Sequence, residues 1–125
     1  MTESSKAAYV FPGQGAQAVG MGRDLYDSFV SARVTIQQAD QVLGFPLSRL
    51  CFEGPEEELR QTINAQPALV TISFACLRAI QEVAGSSFPR PVFVAGHSLG
   101  EYTALAAAGV IDFATTVYLA RERGR

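Results

Sequence analysis

A serine held between two glycines, Gly96-His97-Ser98-Leu99-Gly100, is the residue of this chain best suited to nucleophilic chemistry. The form is G-x-S-x-G. Such a serine belongs on a tight strand-to-helix turn that lifts its hydroxyl clear of the backbone. At a helix N-terminus it also lies beside N–H groups that have no intrahelical partner and can stabilise an oxyanion. The N–H of Leu99, the next residue, is one such donor. A second has to come from a loop after another strand. Phe11-Pro12-Gly13-Gln14-Gly15-Ala16-Gln17 offers that loop, with glycines that let its backbone approach a ligand, and Gln14 in the place a donor would occupy. A phosphate-binding reading is weaker, because the third glycine of a dinucleotide fingerprint is missing and no G-K-[ST] follows.

A serine hydroxyl needs a base within hydrogen-bond reach. His97 is the one histidine. At a tight elbow neighbouring side chains diverge, and a working base is usually brought from elsewhere in the fold. His97 therefore reads as packing beside the turn, and the chain holds a nucleophile without a convincing base. Arg123 stands among Arg121, Glu122 and Arg125, a pattern that by itself reads as a solvated charged face. Cys51 and Cys76 lack metal-ligand spacing and read as two reduced thiols.

The elements that must position these residues follow from apolar runs and their breakers. Ala7-Ala8-Tyr9-Val10-Phe11, stopped by Pro12-Gly13, reads as a buried strand feeding the glycine-rich loop. One helix is predicted from about Asp24 to Leu43, with Leu25, Phe29, Ile36, Ala39 and Leu43 as core contacts. Gly44-Phe45-Pro46 breaks it, a short helical turn follows over Leu47 to Phe52, and Gly54-Pro55 starts a charged helix. Asn64 opens a long buried helix with Pro67 in its first turn, a tolerated position. Leu69, Ile72, Cys76, Leu77, Ile80 and Val83 recur along it at helical spacing, and Gly85 ends it. Pro91 to Ala95 is a second strand, whose unbroken apolar character suits a parallel strand covered on both faces. An alanine-rich helix runs from Ser98 to Ala108, and Asp112 is placed to cap a last helix reaching Arg123.

At 125 residues the chain is one domain or part of one, and 48% apolar residues are enough for a packed core. A net charge of −2 without a basic block argues against nucleic acid. Residues 1–8 lack the apolar run of a signal peptide, and the unbroken apolar stretches are too short to span a membrane. The class is α/β, with a parallel sheet flanked by helices. Two strands are few for a complete domain of that kind.

F-P-G-Q-G-A-Q at 11–17, Q-P-A-L at 66–69, G-H-S-L-G-E-Y at 96–102, A-G-V-I-D-F at 108–113 and R-G at 123–124 together resemble the malonyl-CoA:acyl-carrier-protein transacylases and the related acyltransferase domains of polyketide synthases. The resemblance runs through the whole chain and implies an α/β-hydrolase-like acyltransferase domain. It implies that residues 1–125 are the N-terminal portion of the large subdomain. A catalytic histidine and a small ferredoxin-like subdomain would come later in the family's chain, so these residues alone are expected to be inactive.

The resemblance also assigns roles. Ser98 would carry the acyl group. The N–H groups of Gln14 and Leu99 would form the oxyanion hole. Arg123 would hold the free carboxylate of malonate, against the surface-charge reading of its neighbours, and Gln66 would lie near the site in a supporting role. Leu99 after the serine matches malonyl-using members. The implied substrates are coenzyme A thioesters, malonyl-CoA above all, and the implied partner is acyl carrier protein through its phosphopantetheine thiol. Nine arginines against one lysine are compatible with an acidic carrier. The remaining C-terminal part of the domain is a further implied partner. No permanently bound cofactor, metal, nucleic acid or membrane is expected, and the implied setting is the fatty acid pathway in the cytoplasm. The alternatives are a polyketide synthase acyltransferase, a serine esterase and a non-catalytic carrier-docking piece.

Overall fold

Pro12 and Gly13 end the first strand, and that break aims the following loop at the turn after the second strand. The computed structural model describes residues 6–125. In it β1 (Ala7–Phe11) pairs in parallel with β2 (Pro91–Gly96), with Tyr9 opposite Val94 and Phe11 opposite Gly96. Between them run α1 (Arg23–Ser28), α2 (Val30–Leu43), α3 (Leu47–Glu53), α4 (Glu56–Arg60) and α5 (Thr62–Ala84). After β2 come α6 (Gly100–Ala107) and α7 (Phe113–Arg123). The class is the α/β one expected, a parallel sheet with helices beside it.

The core sits around α5, which packs on α2, α7, α4 and α6. Leu69, Val70, Phe74 and Leu77 of α5 are buried with Leu47, Leu59, Phe113 and Val117. Each buried Leu, Val or Phe side chain contributes roughly 1.5–3 kcal/mol over its exposed state. Arg78 reaches across this layer, its Cζ 4.7 Å from the Phe74 ring centroid and its Nη1 donating to Thr35 Oγ1 at 3.0 Å. By length and composition α5 could cross a membrane. Here it is the central packed helix, with Ala65 to Thr71 all buried.

Three sequence expectations need correction. The helix predicted from Asp24 to Leu43 is two helices, because Phe29 takes extended backbone angles (φ −127°, ψ 123°) between α1 and α2. Its ring turns into a second apolar cluster around Ala32, Ile36, Ala75 and Ala79. The long helix starts at Thr62 instead of Asn64, so Pro67 falls in its second turn and removes an interior hydrogen bond. The sheet is not covered on both faces among the described residues: Val10 is 73% exposed, and Val92 and Phe93 are each 62% exposed. Ile80 and Val83 of α5 are exposed too. Asp112 caps α7 as expected. Its Oδ1 accepts from the Thr115 N–H at 2.7 Å, and this bonding holds the carboxyl below its usual range.

Candidate active site

Ser98 is the one described non-glycine residue with positive φ, at 53°. A residue with a Cβ in the left-handed region costs about 1–2 kcal/mol. The turn enforces it: the Gly100 N–H donates to His97 O at 2.9 Å and the Glu101 N–H to Ser98 O at 3.0 Å. The His97 N–H donates to Phe11 O at 3.1 Å, which ties the elbow to the end of β1. Ser98 itself is exposed, whereas Leu99 and Gly100 are buried beneath it.

The two glycines of the motif are steric requirements. A Cβ on Gly96 would overlap the backbone of Gly100 and Glu101. On Gly100 it would run into the Phe11 carbonyl oxygen, and would lie 2.9 Å from both the Phe11 carbonyl carbon and the Pro12 oxygen. These neighbours are backbone atoms of β1 and the loop, so they cannot rotate away. Gly100→Ala is therefore expected to destabilise the fold by about 1–3 kcal/mol, the usual range for overpacking. A thermal melt checks this, and an unchanged midpoint would contradict the close approach.

The glycine-rich loop meets the elbow directly. A Cβ on Gly13 would collide with the His97 carbonyl oxygen and lie 2.9 Å from His97 Nδ1. This brings Gln14 beside the Ser98 turn. Neither the Gln14 nor the Leu99 N–H has a protein acceptor among the described residues. The exposed His97 side chain lies on the Gly13 side, and the hydrogen-bond partner of Ser98 Oγ is an arginine instead.

That arginine is Arg123. Its Nη2 donates to Ser98 Oγ at 3.1 Å and its Nη1 to Gln66 Oε1 at 3.2 Å. Its Cζ lies 5.5 Å from the centroid of the Tyr102 ring, one helical turn after Ser98. Arginine only donates, so the buried Gln66 must turn its carbonyl oxygen to the cation. Its amide nitrogen then faces Gln14 Oε1 at 3.4 Å, and Gln14 Nε2 donates to Thr62 Oγ1 at 3.1 Å. A polar chain thus runs Thr62–Gln14–Gln66–Arg123–Ser98.

All five site residues read from the sequence, Gln14, Gln66, Ser98, Leu99 and Arg123, therefore lie in one neighbourhood. Thr62 and Tyr102 were missed. Tyr102 stood inside the G-H-S-L-G-E-Y stretch, four residues after Ser98, in the first turn of α6. Nothing in the sequence marks Thr62.

Cys51 is no rival nucleophile. Cys51 is buried, and burial, with the nearby Asp40 charge adding to it, pushes its thiol up to about 12. Among the described residues no group of three or more His, Cys, Asp or Glu could hold a metal ion. Arg23, Arg49, Arg60 and Arg125 each pair with an acid on their own helix or next to it, namely Asp27, Glu53, Glu56 and Glu122.

Comparison with known proteins places the chain in a family. Residues 8–125 match the family described as the acyl transferase domain. The malonyl CoA-acyl carrier protein transacylase of Bacillus subtilis (strain 168) is 51% identical over 120 residues, 96% of this chain and 37% of its own length. An acyl carrier protein S-malonyltransferase of Vibrio cholerae superposes with a TM-score of 0.89 at 48% identity, over 96% of this chain and 38% of that one. A malonyl-transacylase solved in complex with its type II PKS acyl-carrier protein superposes at 0.88, again at 48% identity, over 96% and 38%. The chain thus spans little more than a third of the length of these relatives.

Proposed function

Because this chain belongs to the acyl transferase domain family, we propose that the protein carrying it transfers malonyl from coenzyme A to the phosphopantetheine thiol of acyl carrier protein, through an ester on Ser98. In the first half, Ser98 Oγ attacks the thioester carbonyl, the C–S bond breaks and coenzyme A leaves as the thiol with the serine proton. In the second, the carrier thiol attacks the malonyl-serine ester, the C–O bond breaks and Ser98 regains a proton. The Gln14 and Leu99 N–H groups stabilise the oxyanion of both tetrahedral intermediates; one such donor is typically worth about 10²–10³ in rate.

The observation that carries the malonyl reading is the guanidinium of Arg123 against Ser98 Oγ, steadied by Gln66. A malonyl group on Ser98 ends in a carboxylate that takes over this cation in a charge-assisted, bidentate pair. A plain esterase has no use for a fixed cation in its acyl pocket.

The proton acceptor for Ser98 comes, on this reading, from the rest of the domain, so residues 1–125 alone are inactive. They form the N-terminal portion of its large subdomain, with the small ferredoxin-like subdomain elsewhere in the protein. The exposed Val10, Val92 and Phe93 are surfaces for that remaining part. The setting is the cytoplasmic assembly of fatty acids or polyketides, with no resident cofactor. The type II PKS carrier in complex with a related transacylase supports the carrier as partner.

The test is to mix the full-length protein with malonyl-CoA before any carrier is added. One equivalent of coenzyme A should be released and the peptide containing Ser98 should carry a malonyl ester. Holo acyl carrier protein should then collect the group. Release of free malonate with no transfer to the carrier would identify an esterase instead.

A further inference from the structure

We propose that Arg121 is a positioning residue for Arg123, locking the last turn of α7 onto the first two turns of α5. The inference rests on the malonyl-transfer reading above.

Pro67 has no N–H, so the Ile63 carbonyl one turn earlier loses its regular i+4 donor within α5. Arg121 supplies one from α7: its Nη1 donates to Ile63 O at 3.3 Å and to Asn64 Oδ1 at 2.9 Å. Asn64 is itself held, its Nδ2 donating to Glu58 O at 2.9 Å. The guanidinium lies over the Phe45 ring, with Cζ 4.4 Å from the centroid. A second, independent contact sits three residues on. A Cβ on Gly124 would come within 2.7 Å of both Ile63 Cα and Thr62 O, so the two backbones touch.

Arg123 lies between these two anchors. Residues two apart on a helix point about 200° apart, since each residue turns about 100°. Arg121 therefore holds the side of α7 facing the start of α5 while Arg123 reaches the Ser98 side. The partners of both arginines sit on α5 within four residues, Ile63 and Asn64 for Arg121 and Gln66 for Arg123. A rotation or slide of α7 that breaks the first set moves Arg123 off Gln66 and Ser98. Arg121 has no access to the acyl group, so its effect reaches substrate only through Arg123.

The experiment compares Arg121→Met, Arg121→Lys and Arg123→Ala with the unaltered full-length protein, using malonyl-CoA and acetyl-CoA. Met keeps a stem over Phe45 and loses both hydrogen bonds. Arg121→Met should raise KM for malonyl-CoA roughly 10-fold with kcat little changed, below the ~10²-fold that an ångström of misplacement can cost. Its kcat/KM for acetyl-CoA should stay near that of the unaltered protein, and Arg121→Lys should recover part of the malonyl loss. A merely structural role would lower both substrates together. Should Arg121→Met fail to fold, Phe45→Leu, which removes the ring beneath the guanidinium, carries the same comparison.

A malonyl-to-acetyl ratio unchanged in the folded Arg121 or Phe45 variant, while Arg123→Ala shifts it, overturns the inference and leaves the function standing. An unchanged ratio in Arg123→Ala overturns the carboxylate reading itself, and the inference with it.

Discussion

Ser98→Ala should leave no acyl-enzyme at all and reduce malonyl transfer by at least ~10³-fold, because a double displacement has no route without its nucleophile. The side chain is exposed at the elbow, and its one hydrogen bond is accepted from the equally exposed Arg123. Removing an exposed hydroxyl of this kind changes stability by about 0.5 kcal/mol or less. Loss of activity with an unchanged melt is thus the expected pair of results. Intact-protein mass after mixing with malonyl-CoA reads the first. A malonyl adduct that survives in Ser98→Ala would place the nucleophile elsewhere. The backbone adds a second reading. At φ 53° an alanine keeps the strain that Ser98 bears, whereas glycine does not. Ser98→Gly should therefore melt higher than Ser98→Ala, by a difference of about 1 kcal/mol, while being equally inactive. Strain that the fold carries for the sake of an exposed hydroxyl would show as that opposition of stability and activity.

How much of this was legible in the sequence depends on how local the physics is. The elbow is local: Gly96 and Gly100 are demanded by backbone atoms within a few ångströms, and their spacing around Ser98 is visible in the chain. The end of β1 is legible for the same reason, from Pro12 and Gly13. The break at Phe29 was not, because Ser28-Phe29-Val30 carries no glycine or proline. The ring's place in the cluster with Ile36 and Ala79 goes with that break, and it is a tertiary fact. The Arg121–Arg125 segment shows the same limit more sharply. Three arginines in five residues look alike in sequence, yet Arg121 faces α5, Arg123 faces Ser98, and Arg125 pairs with Glu122 at the surface. The R-G match at 123–124 marks Arg123, but only the seating of α7 on α5 separates Arg121 from Arg125. Thr62 and its bond to Gln14 belong to that seating too.

Arg123→Ala should then cost malonyl transfer selectively. A hydrogen-bonded pair with a charged group is worth about 1.5–3 kcal/mol. At about 1.4 kcal/mol per factor of ten, that is roughly a 10- to 100-fold fall in kcat/KM for malonyl-CoA. Buried and unpaired, the guanidinium would reject acetyl more strongly than this, but Arg123 is exposed among the described residues, so the smaller figure applies here. Acetyl-CoA lacks the carboxylate and should lose little, so the malonyl-to-acetyl ratio falls by about the same 10- to 100-fold. Arg123→Lys should recover only part of it, since an ammonium supplies the charge without the planar fork that grips both carboxylate oxygens and Gln66 together. Arg125→Ala is the control, because Arg125 is exposed and paired with Glu122 at 3.1 Å. An exposed pair contributes about 0–1 kcal/mol to stability, so this change should leave the ratio where it was. Steady-state kinetics with both thioesters read all three variants. If Arg123→Ala and Arg125→Ala behave alike, the guanidinium beside Ser98 is a surface charge, and selection of the dicarboxylic acyl group has to be sought in another residue.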